Sequence, residues 1–190
     1  RVVFSLERPR SPFSRSLVWP KLATFRMMLL VLSGLATAAT YAYMLALIFA
    51  RPELQTTLDT SPGWSAATVV QILGSNPALA SYRHLNTVDF YFLLVYSSFL
   101  SLCLARYWPS RRWLSLLPFA AGFADLIENA CVRVLLDSFP RIEEAPKSLL
   151  WGPPATVLKF VFLLSSLVAI AVGVLFSRNM EPGATKEKEF

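Results

Sequence analysis

No charged side chain interrupts residues 27–50, MMLLVLSGLATAATYAYMLALIFA. About 20 consecutive apolar residues is the length that carries a helix across the hydrocarbon core of a bilayer. A spanning segment must satisfy its own backbone hydrogen bonds, which one continuous apolar run achieves only as a helix. Three further segments meet the length criterion: 87–107, with one acid near its start; 113–136, apolar in its first half and polar in its second; and 155–177, with one lysine. A β-barrel would need short alternating segments instead. The expected fold is therefore all-α, an integral membrane four-helix bundle over residues 27–177. A basic tail (1–26) precedes it and a polar tail (178–190) follows. Composition agrees: 16% of residues are charged, against about 25% in a soluble domain. That excludes a disordered chain, a coiled coil and most soluble enzymes.

The basic residues orient the bundle. Six precede the first span (Arg1, Arg8, Arg10, Arg15, Lys21, Arg26), three lie between the second and third (Arg106, Arg111, Arg112), and three follow the fourth (Arg178, Lys186, Lys188). The opposite loops hold four: Arg51, Arg83, Arg141 and Lys147. Positive-inside places both termini on the inner, cytoplasm-like face. Topology thus accounts for the net charge of +6, and no nucleic-acid partner is expected. Trp19, Trp108 and Trp113 flank the inner ends, and Trp64 and Trp151 the outer ends, as an aromatic belt would.

The first loop, 51–86, is the long one. Pro62-Gly63 reads as a turn, and Ser65 can cap a short helix over 66–73, closed by Gly74 and lying on the outer surface. The second connection, 108–112, is tight. In the third, 137–154, Pro153-Pro154 fits the opening of span four, where a missing N–H costs nothing. The Arg-, Ser- and Pro-rich N-terminal stretch fits an organelle transit remnant, a cytoplasmic basic tail or a trimmed chain alike. The membrane is accordingly an organelle inner membrane or a bacterial-type plasma membrane. In span one, Gly34, Ala38, Ala42 and Ala46 recur every four residues and predict a close-packing face toward the other spans, or toward a second copy.

Span three carries Asp125, Glu128 and Asn129 at i, i+3 and i+4, on one helical face, with Pro118 and Gly122 on the same face. Ionisable groups in a span cost at least about 2.5–3.5 kcal/mol each and seldom face lipid. These acids should look into the bundle and find partners there. Asp89 in span two and Lys159 in span four fall at similar depth. Tyr96 lies seven residues after Asp89, and Ser166 seven after Lys159; Thr156 lies three before Lys159. Arg133 sits at the edge of the acidic face, where Asp137 at i+4 offers a partner. Three carboxylates against two cations leave a deficit that a proton or a ligand could fill. Cys103 and Cys131 have no metal or disulfide spacing and read as small core residues. The lone His84 reads as interfacial. No metal site is expected, no cofactor is specified, and no phosphate loop, nucleophile elbow or dinucleotide fingerprint is present.

VDFYFLLVY in span two, LLPFAAGFADLIENA in span three and ATVLKF opening span four resemble a group of small uncharacterised four-span membrane proteins. In that group an Asp…Tyr, a Pro…Asp-x-x-Glu-Asn and a Thr-x-x-Lys recur in this order. The resemblance covers roughly residues 64–175. It implies a shared site at Asp89, Tyr96, Pro118, Asp125, Glu128, Asn129, Thr156 and Lys159, and it implies no chemistry. A looser likeness to sterol-isomerase-type four-span proteins is one of architecture alone.

Three functions fit these features. The first is a non-catalytic accessory or assembly subunit of a larger membrane complex, with the acid–Lys network locking its helices; its partners are the lipid bilayer and other subunits. The second is a bundle that binds a lipid-like small molecule, or acts on one as an isomerase-type enzyme, through its intramembrane carboxylates. The third is proton translocation, for which four spans are few.

Overall fold

The computed structural model describes residues 18–51, 54–55, 57–61, 63–74 and 79–179. Most of the expected basic tail and nearly all of the expected polar tail lie outside them. The described residues contain no strand. The helices are α1 (Val18–Ala50), α2 (Ala66–Gly74), α3 (Leu79–Tyr107), α4 (Leu117–Ser138) and α5 (Pro146–Asn179), with short 3₁₀ segments at Leu58–Thr60, Arg112–Leu116 and Ile142–Glu144.

Three helices are long and apolar enough to cross a membrane, over Thr24–Ala50, Leu79–Tyr107 and Pro146–Ser177. The helix α4, with 22 residues, rises about 33 Å and has the length. Its Asp125, Glu128 and Arg133 deny it the apolarity.

The apolar segments read from the sequence are the middles of longer helices. The helix α1 begins at Val18 rather than 27, α3 at Leu79 rather than 87, and α5 at Pro146 rather than 155. Hydropathy marks where side chains turn polar, whereas a helix continues until its backbone is capped. The third segment behaves oppositely. Residues 112–116 form a 3₁₀ segment, and the α-helix starts at Leu117 with Pro118 in its first turn, where a proline is preformed for the helix. The expected role of Pro153-Pro154 is corrected: both lie inside α5. Pro146 opens that helix instead, and the two inner prolines withhold the N–H groups that would reach the carbonyls of Leu149 and Leu150.

The helix α4 packs against both α3 and α5, while α1 leans chiefly on α3. Close approach rests on glycine at three places, one of them Gly173 against Tyr107 and Trp108. A Cβ on Gly122 would run into Ser97 of α3, and one on Gly152 would run into the ring of Trp64. Trp64 is only 3% exposed, so it is a core plug and not part of an interfacial belt. It belongs to an apolar cluster with Leu54, Leu58, Leu73, Tyr82 and Leu135, by which the first loop folds onto one end of the bundle. The turn before it has Gly63 at φ 70°, a left-handed conformation that glycine adopts without strain. The Ser65 cap forms as expected, its Oγ accepting the Thr68 N–H at 3.2 Å. The helix it starts buries Val69, Ile72 and Leu73 against the protein instead of lying on an outer surface.

The small-residue stripe of α1 is also corrected. Gly34 meets Phe99 of α3, yet Ala38, Ala42 and Ala46 are exposed. A strict four-residue repeat advances about 40° around the helix at each step. The stripe therefore turns off the contact face, which continues through Met44, Leu47 and Ile48.

Candidate functional site

The spacing of Asp125, Glu128 and Asn129 does put them on one face of α4, and that face is buried: they are 2%, 0% and 0% exposed. Lys159 of α5, 8% exposed, answers them. Its Nζ lies 3.1 Å from Asp125 Oδ1 and 2.5 Å from Glu128 Oε2. Thr156, one turn earlier on α5, donates its hydroxyl to Glu128 Oε1 at 2.6 Å. Tyr96 of α3 donates to Asp125 Oδ2 at 2.9 Å. The Asn129 amide reaches Asp125 Oδ1 at 3.4 Å and itself accepts from Asn86 Nδ2 at 3.2 Å. One ammonium, two carboxylates and their hydroxyl and amide donors thus tie α3, α4 and α5 together.

Six of the eight sequence-derived candidates meet in this network: Tyr96, Asp125, Glu128, Asn129, Thr156 and Lys159. Asp89, 8% exposed, stands beside it with no cation within ion-pair distance among the described residues. Arg133 is turned away. It donates to the Arg83 carbonyl at 3.1 Å and to Thr87 Oγ1 at 2.9 Å. The expected partner Asp137 is taken by Arg83 at 3.0 Å, because Arg83 approaches from the neighbouring helix while Arg133 finds acceptors nearer at hand. Ser166, expected to share the Lys159 face, bonds to its own helix at the Phe162 carbonyl. His84 is exposed and pairs with the Tyr43 hydroxyl at 3.0 Å. Cys103 and Cys131 are free.

A cavity of about 570 Å³ opens beside the network, between α1, α3 and α5, under the first loop. Its polar lining is Asp59, Asn86, Asp89, Tyr96, Asp125 and Lys159, with Thr37 and Thr57. Its walls are Met44 and Ile48 of α1, Leu85, Phe92, Phe99 and Leu100 of α3, and Phe160 and Leu163 of α5. Tyr41 and Phe160, which line it and are 52% and 40% exposed, form its rim. The size falls in the range of small-molecule sites, about 300–1,000 Å³, and so does the pattern of apolar walls with a few convergent polar groups.

No known protein family, curated protein or solved structure matches this chain.

Sequence reasoning missed Asp59. It lies in the 3₁₀ turn Leu58–Thr60, half-buried, with Oδ1 enclosed and without a hydrogen-bond partner. Tyr82 of α3 fixes the turn: its hydroxyl accepts the Leu58 N–H at 2.8 Å and donates to Asp59 Oδ2 at 3.3 Å. Burial pushes the Asp59 carboxyl up from its ordinary value; Lys159 pulls it part of the way back and Asp125 pushes it further. The available signal was local. Leu54, Leu58 and Trp64 surround this acid in a loop otherwise built of turn residues, and large apolar side chains there announce a loop that packs down.

Chemically the site is rich in acceptors. Among the described residues, no group of three or more carboxylate, thiol or imidazole side chains is gathered closely enough to hold a metal ion. The cavity can take an elongated, mostly apolar molecule with one polar end at the carboxylates.

Proposed function

We propose that this chain is an integral membrane protein that binds an amphipathic small molecule in the cavity between α1, α3 and α5. The observation that carries the reading is the cavity itself: apolar walls from three helices meet a buried acid–Lys network in one space. A chain that needed the network solely as a lock would gain more from filling this volume, since an unfilled void forfeits packing. In this reading α4 is the fourth span, its charges turned inward onto Lys159, and both termini lie on the inner face. The supports for that orientation are the twelve-to-four division of basic residues and the rule that cytoplasmic loops are basic.

The test is gentle extraction of the whole chain, followed by native mass measurement and solvent extraction of what travels with it. A small assembly carrying a stoichiometric amphiphile is the expected result, with the amphiphile lost in Leu163→Trp, which fills the cavity. A large hetero-assembly with no small molecule would favour the accessory-subunit reading instead. Tags at the two termini that report opposite faces would overturn the topology.

A further inference from the structure

The binding reading leaves open what kind of polar end the cavity accepts, and the balance of charge and of hydrogen-bonding groups answers it. Within the network, Lys159 is shared by Asp125 and Glu128, and Tyr96 and Thr156 donate to the same two acids. Those groups are served. Two others that line the cavity are not, and a third, Asp89, is only partly served. Asp59 Oδ1 is enclosed and unpartnered, and so is Oδ1 of Asn86, a residue 1% exposed. Asp89 is hydrogen-bonded by Asn129 but has no ion-pair partner among the described residues. All three are acceptors, and two are carboxylates. The arginines that could have balanced them are engaged elsewhere, Arg83 with Asp137 and Leu136 and Arg133 with Arg83 and Thr87. Buried acceptors left without donors are rare in folded proteins, and two of them beside an unpaired carboxylate in one cavity call for a donor that carries positive charge.

Resting on the reading of the cavity as a binding site, we propose that its occupant is a cationic amphiphile, a primary ammonium whose N–H groups are accepted by Asp59, Asn86 and Asp89 and whose apolar body lies against α1 and α5. An ammonium offers up to three donors and one positive charge, which matches three acceptors and an excess of carboxylates. A metal ion would answer the charge, but among the described residues no three carboxylate, thiol or imidazole groups gather closely enough to hold one. A fatty acid would add a further carboxylate to a site already in excess. An alcohol offers one donor and no charge. The aromatic rings of Phe92, Phe99 and Tyr96 in the same lining suit a cation as well.

The experiment uses the full-length protein in a neutral detergent and four probes with the same dodecyl tail: dodecylamine, dodecyltrimethylammonium, dodecanol and dodecanoate. Each is titrated at neutral pH against the thermal midpoint read by tryptophan fluorescence. Dodecylamine is expected to raise the midpoint at concentrations at least about ten-fold below those of the other three, the margin given by one hydrogen bond to a charged group. Dodecyltrimethylammonium separates charge from N–H donation, because it carries the first and lacks the second. Asp89→Asn should raise the half-saturating concentration of dodecylamine about ten-fold. Asp59→Asn, in the loop and outside the helices, asks the same question if Asp89→Asn does not fold. If dodecanol or dodecanoate matches dodecylamine and neither substitution changes this, the cationic occupant is refuted while the cavity remains a binding site. If no probe shifts the midpoint and Leu163→Trp behaves as the parent, the binding reading falls with it.

Discussion

Lys159→Met keeps most of the side chain's length and removes only its charge. In the parent, the ammonium is 8% exposed as part of its residue and holds Asp125 at 3.1 Å and Glu128 at 2.5 Å. Neither acid has another cation within ion-pair distance among the described residues, and both are buried, at 2% and 0% exposed. The variant therefore leaves two carboxylates facing each other in an enclosed space. Removing one partner of a buried pair costs about 3–5 kcal/mol, chiefly because the other partner stays buried and unpaired. For a chain of this size a change of 1 kcal/mol moves the thermal midpoint by about 2–4 °C, so the expected loss is roughly 6–20 °C. The assay is thermal unfolding of the purified chain in detergent, with Lys188→Met on the C-terminal tail as a control expected to be neutral. Pairing Lys159→Met with Glu128→Gln should recover about 0.5–3 kcal/mol relative to the sum of the single changes, since the second substitution removes the charge stranded by the first. A neutral Lys159→Met, or two changes that simply add, would refute the network as a coupled unit.

Three other expectations follow from the first loop and its docking. Asp59→Asn should stabilise the protein at about pH 8 and have little effect at about pH 4: the folded-state carboxyl titrates above its ordinary value, so the native state loses stability as pH rises through that range, and the amide does not titrate; a pH-independent difference in midpoint would contradict this. Tyr82→Phe should cost about 1–3 kcal/mol and speed hydrogen exchange at the Leu58 amide, which loses its only acceptor shown here; unchanged exchange would show that the hydroxyl does not hold the turn. Gly152→Ala should cost about 1–3 kcal/mol by overpacking, since its Cβ runs into the Trp64 ring; Trp64→Leu in the same chain should recover part of this, and failure to do so would place the strain elsewhere.

The site was legible in the sequence where helical periodicity and the cost of buried charge act together. Asp125, Glu128 and Asn129 declare one face of one helix, and hydrocarbon leaves such a face only inward directions. Lys159 then follows from depth, because a helix is a rod of known rise, and Tyr96 and Thr156 from their spacing to Asp89 and Lys159. Arg133 was misread for want of one fact: an i, i+4 pair competes with groups on other helices, and Arg83 reached Asp137 first. Asp59 was invisible for a different reason. A turn has no period, so the direction of its side chains is decided by what the loop docks against, here Tyr82. The α1 stripe failed through geometry, since residues four apart drift off a contact face whose own period is 3.6. Pro153 and Pro154 fit a first turn by local preference, but the helix opens at Pro146, where another proline meets the same preference.

The lean of α1 has a consequence for how such a site would be filled. That helix rests chiefly on α3, and the cavity's rim, Tyr41 and Phe160, faces sideways from the bundle. In the membrane setting proposed above, a molecule arriving there would travel within the plane of the bilayer, and its supply would be set by partition into lipid. Occupancy would then follow mole fraction in the membrane, not molarity in the buffer. Diluting the protein with empty vesicles at constant total probe would empty the site, while diluting with buffer would leave it nearly full.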